Sequence, residues 1–195
     1  MDHSPAQVSC YCAMDYLPPI KGLLTDFKHR NNLAAGRLLS ACLAHGLDHA
    51  IEAGRVYVPQ LLIPVPLHRQ RLRQRGFNQA QFIATQVMNR LQSNKHQMNL
   101  CTDLCHRTGN RTPQQKQTRA QRLSEIGNDF VINKRGIDRA IDREIEHVAI
   151  IDDVMTTGAT TQALCNSLIE AWPTLLNIQV WCVARAQAPN IQLEW

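Results

Sequence analysis

The sequence is poor in aromatic residues and has no long apolar run. Tryptophan, tyrosine and phenylalanine make up only 5% of its 195 residues, which disfavours a binding surface built from many stacked rings. No run of about 18 apolar residues is present, so no membrane-spanning helix is expected. The N-terminal residues MDHSPAQVSC lack the basic start and apolar core of a signal peptide, and we therefore expect a cytoplasmic protein.

A disulfide framework is also missing. The seven cysteines are an odd number and are scattered along the chain, which is typical of reduced thiols in a cytoplasmic protein. Cys10 and Cys12 form a Cys-x-Cys pair, which Cys101, Cys105 and His106 would in principle complete as a metal site. Structural zinc sites usually use tighter Cys-x2-Cys knuckles, so unrelated thiols are the favoured interpretation.

Two common nucleotide-binding motifs are absent from the most distinctive stretch, residues 147–161, which reads HVAIIDDVMTTGATT. It contains neither the GxGxxG fingerprint of dinucleotide-binding folds nor the Gly-Lys-Ser/Thr of a Walker A loop. Residues 148–151 form a short apolar run typical of a buried strand. The Thr/Gly cluster ahead of the amphipathic residues 161–172 indicates a helix start. The stretch therefore predicts a strand, a loop and a helix.

The loop of this unit has an anion-binding half and an acidic half. Unpaired N–H groups and the helix dipole favour an anion at the helix start. Asp152 and Asp153 can accept hydrogen bonds from hydroxyl groups, and they favour a divalent cation. A sugar phosphate with neighbouring hydroxyl groups fits both halves. The candidate phosphate-binding residues are Thr156, Thr157, Gly158, Ala159 and Thr160.

A second strand–loop–helix unit comes earlier in the chain. Residues 61–66 predict a short buried strand that ends near its prolines, and an apolar helix face runs from Ala80 to Leu91. The basic loop between them suits phosphate oxygens, because the planar fork of arginine pairs with them bidentately. A solvated basic surface or a nucleic-acid patch is the alternative. The candidate anion-binding residues of this loop are His68, Arg69, Arg71, Arg73, Arg75 and Gly76.

Both units carry a resemblance to a known family. Residues 148–160 resemble the 5-phosphoribosyl-1-pyrophosphate (PRPP) binding motif of type I phosphoribosyltransferases, which has four apolar residues, two acidic ones, two mostly apolar ones and a Thr/Gly-rich loop. Val65-Pro66-Leu67 followed by residues 75–79 (RGFNQ) is similar to the ComF/GntX family, a branch of the phosphoribosyltransferase-like proteins. In that family the basic loop corresponds to the pyrophosphate loop. The cysteine-rich zinc ribbon that usually begins these relatives is missing here.

The alternation of strands and helices predicts an α/β fold with a mainly parallel sheet. The resemblance implies a phosphoribosyltransferase type I-like version of that fold, with a twisted sheet flanked by helices. We predict an N-terminal tail and helical extension over residues 1–55 and a phosphoribosyltransferase-like domain over residues 56–195. PRPP is the implied ligand, with Mg²⁺ as cofactor. The metal would contact Asp152 and Asp153 through the ligand or through water.

The remaining stretches are less distinctive. Residues 93–128 are polar and basic and predict a lid that closes over the site. Periodicity predicts one helix from about residue 20 and a second over 32–53, while residues 1–18 show no periodic pattern. Lys28 is either a surface charge favoured by the helix dipole or a ligand contact. Short strands are expected at 130–132 and 178–184, with a charged connection over 136–146. The candidate lid residues are Arg111, Gln114, Lys116, Arg119 and Arg122.

The sequence therefore predicts a PRPP-binding, phosphoribosyltransferase-like protein that transfers or binds 5-phosphoribose and releases pyrophosphate. The residues do not identify an acceptor. The alternative is a non-catalytic factor in competence and DNA uptake, or a nucleotide-sensing regulator, that uses the same pocket. A net charge of +5 and a pI of about 9.0 suit a polyphosphate or a nucleic acid. Phe77 is the one aromatic residue near the basic loop, which ranks binding of single-stranded DNA lower.

Overall fold

Strands and helices alternate along the described part of the chain, which comprises residues 6–94, 96–107 and 129–186 of a computed structural model. The strands are β1 (Gln7–Asp15), β2 (Leu61–Pro64), β3 (Asn99–Leu100), β4 (Cys105–Arg107), β5 (Phe130–Ile132), β6 (His147–Met155) and β7 (Asn177–Arg185). The helices are α1 (Ile20–His29), α2 (Leu33–Glu52), α3 (Arg69–Arg75), α4 (Gln79–Ser93), α5 (Lys134–Ile141) and α6 (Ala159–Ala171). None of these helices has the length and apolar character needed to cross a bilayer.

Five strands form one parallel sheet in the order β1-β7-β6-β2-β3. The predicted α/β fold with a mainly parallel sheet is therefore confirmed. β4 and β5 pair with each other in a separate antiparallel ribbon. The run from Val148 to Ile151 is buried, as expected for a central strand covered by helices on both faces.

Two apolar layers cover the sheet. Helices α1, α2 and α4 pack on one face, and α5, α6 and the β4–β5 ribbon pack on the other. Because successive side chains of a strand point to opposite faces, Ile150 of β6 enters one layer and its neighbour Ile151 enters the other. The central strands therefore read as continuous apolar runs rather than as alternating patterns.

The connections after β2 and β6 leave the sheet on opposite faces. α4 follows β2 and packs on the face of Ile151, whereas α6 follows β6 and packs on the face of Ile150. β2 and β6 are neighbours in the sheet. Such a switch point opens a crevice at the carboxyl ends of the two strands, which is where α/β sheets bind ligands.

The N-terminal region differs from its prediction. Residues 7–15 form β1, which pairs with β7 along its length, although no periodic pattern was expected there. β1 lies at the edge of the sheet and its side chains are exposed or half-buried, so it lacks the apolar alternation that marks a strand. α1 and α2 begin and end close to their predicted positions and share a core with the sheet. The domain boundary near residue 55 stays a prediction.

Two further stretches are helical where a loop or a connection was predicted. The basic loop contains helix α3, and the charged connection contains helix α5. In α5 the buried residues Gly136, Ile137 and Ala140 form a narrow apolar stripe at helical spacing, which the surrounding charges hid in the sequence. The predicted strands at 130–132 and 178–184 correspond to β5 and β7.

Candidate functional site

A pocket of about 150 Å³ lies at the switch point between β2 and β6. Both strand–loop–helix units contribute to it, together with α1 and β4. Its charged lining residues are Lys28, Arg71, Arg75, Arg107, Asp152 and Asp153, and its polar lining residues are Asn78, Gln79 and Thr160. The pocket therefore places a carboxylate pair among four cations, at the sheet edge where a ligand is expected.

Asp152 and Asp153 occupy the carboxyl-terminal part of β6, next to each other in the chain. Asp152 is half-buried, and its Oδ1 accepts a hydrogen bond from the backbone N–H of Asp153 at 2.8 Å. Burial, and then the Asp153 carboxylate, raise the pKa of Asp152 to about 7. Since a nearby positive charge or a hydroxyl donor favours the ionised form, a ligand that brings either would draw the proton off Asp152 near neutral pH.

Asp153 has a partner within the protein. Its side chain is only 11% exposed, and its Oδ2 lies 2.9 Å from the Nζ atom of Lys28 at the end of α1. A carboxylate this buried needs a partner, because desolvating an unpaired charge is costly. Lys28 is thus a fixed counter-ion within the pocket. The two aspartates consequently differ, since one is neutralised internally and the other faces an incoming ligand.

Helix α3 divides its four arginines between two faces. In an extended loop, alternate residues would share one side, but in a helix the residues four apart share a face. Arg71 and Arg75 accordingly line the pocket, whereas Arg69 and Arg73 do not. His68 caps the helix, because its Nδ1 accepts from the backbone N–H of Gln70 at 3.2 Å. Of the candidate anion-binding residues of this stretch, Arg71 and Arg75 therefore line this pocket, and anion binding by the set stays a prediction.

The turn after α3 fixes the position of Arg75. Gly76 ends the helix at φ = 78°, a conformation that glycine adopts without a steric penalty. Asn78 then caps α4 with its Oδ1, and its Nδ2 donates to the Val65 carbonyl at the end of β2 at 3.0 Å. Arg75 donates to the Gln79 Oε1 at 3.1 Å. The arginine is thereby held against the pocket wall.

Gln79 presents an unsatisfied donor. The residue is 2% exposed and lines the pocket, and its Nε2 has no hydrogen-bond partner among the described residues. Burying an amide without a partner costs about 1–3 kcal/mol, so such an atom calls for an acceptor. An anionic oxygen in the pocket would accept a hydrogen bond from Nε2. The other end of the amide, Oε1, already accepts from Arg75.

The Thr/Gly loop and the start of α6 form the predicted anion-binding element. Thr156 and Thr157 are exposed, and Gly158 precedes α6 with φ = 73°. The Oγ1 of Thr161 donates to the Gly158 carbonyl at 2.9 Å and tightens the first turn. Ala159 and Thr160 belong to that turn, where backbone N–H groups lack helical partners. Of this set, Thr160 lines the same pocket as the aspartates, and the other four residues lie beside it in the chain.

Arg107 enters the pocket from β4. Its Nη2 lies 3.1 Å from Oδ2 of Asp129, and its guanidinium stands 5.6 Å from the centroid of the Phe130 ring. These contacts hold the Arg107 guanidinium near Asp152. Its positive charge lowers the pKa of Asp152, but burial raises that pKa by more. Arg107 was predicted only as one basic residue of a long connection. The five candidate lid residues, Arg111, Gln114, Lys116, Arg119 and Arg122, lie outside the described residues.

A larger groove of about 710 Å³ adjoins the pocket and shares Arg75 and Asn78 with it. Phe77 and Phe82 line this groove, with their ring centroids 6.3 Å apart. Both rings also pack on Phe27, at 5.3 Å each. The basic segment is therefore accompanied by two rings rather than by Phe77 alone, because α4 brings Phe82 beside it.

A metal site built from cysteines is not supported. Within the described ranges, no three side chains of histidine, cysteine, aspartate or glutamate are arranged to hold a metal ion. Cys101 and Cys105 pack with the core on the α6 side of the sheet, and Cys10 and Cys12 lie on β1. That these thiols are unrelated to a metal stays a prediction.

Sequence reasoning missed the roles of Lys28, Gln79 and Arg107 in one pocket. Gln79 had a signal, because it ends the RGFNQ stretch that carries the family resemblance. The only sequence signal for Lys28 was its position at the end of an amphipathic helix, and a surface charge is equally common at such a position. Arg107 had no signal beyond a basic composition, since the pairing of β4 with β5 depends on residues far apart in the chain.

Comparison with known proteins shows several relatives, although no protein-family model matches the chain. Competence protein F of Haemophilus influenzae is 28% identical over 173 residues, which cover 88% of this chain and 70% of the relative. DNA utilization protein YhgH of Shigella flexneri is 26% identical over 175 residues, covering 88% and 69% respectively. YhgH of Escherichia coli strain K12 is 25% identical over the same length. These relatives confirm the resemblance found in the sequence.

Proposed function

We propose that this homologue of the ComF/GntX proteins binds PRPP, or a closely related ribose phosphate, and transfers its 5-phosphoribose group to an acceptor. One observation carries the proposal: the acidic pair of β6 and the arginines of α3 meet in a single pocket at the carboxyl edge of the sheet. PRPP needs both kinds of group, because the ribose hydroxyls on C2 and C3 are hydrogen-bond donors that lie close to the pyrophosphate on C1. An isolated acidic motif or an isolated basic helix would not meet this requirement.

The three parts of the ligand have separate partners in this proposal. The 5-phosphate binds at residues 156–160, where the start of α6 offers unpaired N–H groups and threonine hydroxyls. The ribose hydroxyls donate to Asp152, whose proton is released as those bonds form. The pyrophosphate binds Arg71 and Arg75, and Gln79 donates to one of its oxygens. Each assignment uses a side chain that lines the pocket or adjoins it in the chain.

The charges around the pocket suit displacement of pyrophosphate from the sugar. As the bond to C1 breaks, positive charge grows on the ribose ring and negative charge grows on the leaving group. Ionised Asp152 stabilises the first, and Arg71, Arg75 and Arg107 stabilise the second. Because Arg75 is held by a hydrogen bond and Arg107 by an ion pair before the ligand arrives, these two cations need little reorganisation during the reaction.

The residues of the pocket fit an Mg²⁺ ion that is held mainly by the bound ligand, rather than one coordinated only by protein side chains. Asp153 already pairs with Lys28, which opposes direct coordination by both carboxylates at once. Asp152 is the remaining carboxylate and would hold the ion through the ribose hydroxyls or through water, with an oxygen donor of the kind Mg²⁺ prefers. When bound, Mg²⁺ would supply neutralisation of the pyrophosphate charge.

Calorimetric titration of PRPP into the full chain, with and without Mg²⁺, tests the proposal. We expect micromolar affinity that depends on Mg²⁺, and loss of binding when Asp152 and Asp153 are both replaced by asparagine. Ribose 5-phosphate and pyrophosphate serve as partial ligands, each engaging one end of the pocket. If PRPP does not bind the wild type, or binds the doubly substituted protein equally well, the proposal is wrong. If PRPP binds as expected, screening for pyrophosphate release with candidate bases addresses the acceptor.

A second candidate function is supported by the aromatic groove. Phe77 and Phe82 lie beside a helix with exposed arginines, an arrangement that suits bases stacked on rings and phosphates on cations. The name of one relative, DNA utilization protein YhgH, refers to DNA. Affinity for single-stranded oligonucleotides should then fall steeply with salt and should drop when both phenylalanines are replaced by leucine. Equal affinity of the leucine variant would exclude this groove as the DNA site.

A further inference from the structure

Two thiols lie side by side on the outer strand of the sheet. Alternate residues of a strand point to the same face, so the Cys-x-Cys sequence of β1 brings the Sγ atoms of Cys10 and Cys12 to 3.7 Å. Cys10 Sγ also lies 3.7 Å from the Sδ atom of Met155 at the end of β6. The register places Cys182 of β7 opposite Cys12. The pair thus belongs to a cluster of four sulfur atoms contributed by three neighbouring strands.

Small reagents can reach the pair but not the thiol behind it. β1 is an edge strand, Cys10 is exposed and Cys12 is half-buried, whereas Cys182 is fully buried. A disulfide needs its sulfur atoms about 2.05 Å apart. Alternate residues of an extended strand lie about 6.6 Å apart, which is too far for a disulfide, so closing the gap requires β1 to bend at Tyr11 as well as rotation of the two side chains. Because β1 is an edge strand, the bend affects only its own pairing with β7.

The electrostatic environment divides the two thiols into different roles. The thiols of Cys10 and Cys182 donate hydrogen bonds that lower the pKa of Cys12 to about 4, and the Arg185 guanidinium acts in the same direction. The same hydrogen bond to Cys12, together with burial, raises the pKa of Cys10 well above its usual range. Thiolates rather than thiols attack disulfides, so Cys12 is the nucleophile and Cys10 holds the proton.

We propose that Cys10 and Cys12 form a redox-active dithiol whose substrates are small disulfides. The Cys12 thiolate attacks one sulfur of a disulfide R–S–S–R, which gives a mixed disulfide and releases one R–S⁻. Cys10 then loses its proton to solvent and attacks Cys12 Sγ, which forms the Cys10–Cys12 bond and releases the second R–S⁻. The protein pair loses two electrons and the one proton of Cys10, and the small disulfide is reduced to two thiolates, which take up protons from water.

The test uses the full reduced chain and glutathione disulfide, with thiols counted by alkylation and intact mass. We expect loss of two free thiols in the wild type and a Cys10–Cys12 link in the peptide map. Cys10→Ser should instead trap a stable glutathione adduct on Cys12, because the resolving thiol is gone. Cys42→Ser is the matched control, since Cys42 is also exposed but lies alone on α2, and it should still form the link.

A second measurement uses the unaltered protein and does not depend on the folding of any variant. Brief alkylation at about pH 5.5 should modify Cys12 at least about tenfold faster than Cys42, because most other thiols are protonated there. Equal alkylation of Cys12 and Cys42 would overturn the assignment of the nucleophile. Glutathione adducts on both Cys10 and Cys12 without a link between them would overturn the dithiol itself.

Discussion

The Nζ atom of Lys28 lies 2.9 Å from Oδ2 of Asp153, and this contact joins the end of α1 to the end of the central strand. The N-terminal helix therefore contributes a charge to a site whose other groups come from residues far along the chain. Because Asp153 is almost completely buried, the pair determines both the stability of the strand end and the charge that a ligand meets there.

Replacing Lys28 by methionine should destabilise the protein, because Asp153 would keep its burial and lose its counter-ion. We expect the free energy of unfolding to fall by about 1–3 kcal/mol, below the loss for a fully buried pair, since Lys28 retains some exposure. Urea denaturation measures the change. Lys21→Met on the exposed side of the same helix should have little effect. A double-mutant cycle with Asp153→Asn should show strong coupling, and additive losses would contradict the pairing.

Arg71 and Arg73 provide a matched pair on one helix. Both are exposed arginines of α3, but only Arg71 lines the pocket. Arg71→Gln should weaken PRPP binding about 10- to 100-fold, the usual cost of a lost charged hydrogen bond. Arg73→Gln should change the affinity by about twofold at most, because it removes the same formal charge outside the pocket. Calorimetry in parallel measures both, and equal losses would show that net charge alone governs binding.

Gln79→Glu should separate ligand binding from stability. The new carboxylate can still accept from Arg75, as the amide oxygen does, but it replaces the unpartnered N–H donor with a negative charge. We expect PRPP affinity to fall at least about tenfold while the melting temperature stays the same or rises. Gln81→Glu, on the exposed face of α4, adds the same charge outside the pocket and is the control. Unchanged affinity for Gln79→Glu would remove Gln79 from the ligand site.

Asp152 should make the protein less stable as the pH rises. Its folded-state pKa is raised to about 7, above the value of about 3.9 expected in the unfolded chain. The unfolded state therefore releases its proton first, and stability falls as the pH rises through the window between these two values. Asp152→Asn lacks this titration. Its free energy of unfolding should exceed that of the wild type by about 1–3 kcal/mol at pH 8 and should equal it near pH 4. Denaturation at both pH values, with exposed Asp138→Asn as control, checks the crossover.

Two glycines in the N-terminal helices should respond oppositely to alanine. A Cβ on Gly36 would lie 2.5 Å from the Phe27 ring, whereas a Cβ on Gly22 meets nothing within 4 Å. Gly36→Ala should lower the free energy of unfolding by about 1–3 kcal/mol, because the added methyl group overpacks this contact. Gly22→Ala should add about 0.5 kcal/mol, because it removes backbone freedom from the unfolded chain. Urea midpoints compare them, and a neutral Gly36→Ala would show that the Phe27 cluster adapts.

Much of the fold followed from local patterns in the sequence. The apolar runs of β6 and β7 and the periodic faces of α2 and α4 carry their own signal, because burial imposes a regular spacing on them. The position of both candidate anion-binding loops at strand ends also followed, since both come directly after predicted buried strands. The acidic pair and Thr160 were predicted from the same stretch, and the structure brings them into one pocket with Arg71 and Arg75.

The parts that could not be predicted depend on contacts between distant residues. Lys28 meets Asp153 only because α1 packs against the sheet, and Arg107 reaches the pocket only because β4 pairs with β5. The basic stretch was predicted as a loop, and in helix α3 only Arg71 and Arg75 of its four arginines line the pocket. β1 had no pattern of its own because its partner, β7, supplies the hydrogen bonds that make it a strand.

The pairing of β1 with β7 also sets an order of assembly. The first and last strands of the sheet lie about 170 residues apart in sequence and align from Gln7 with Asn177 onward, a separation that is slow to close by chain diffusion. During synthesis, β7 emerges last, so β1 must wait for it. Until they join, the apolar β7 presents an open edge to other chains. Once paired, β1 covers this edge of β7 and leaves its own, less apolar edge at the end of the sheet.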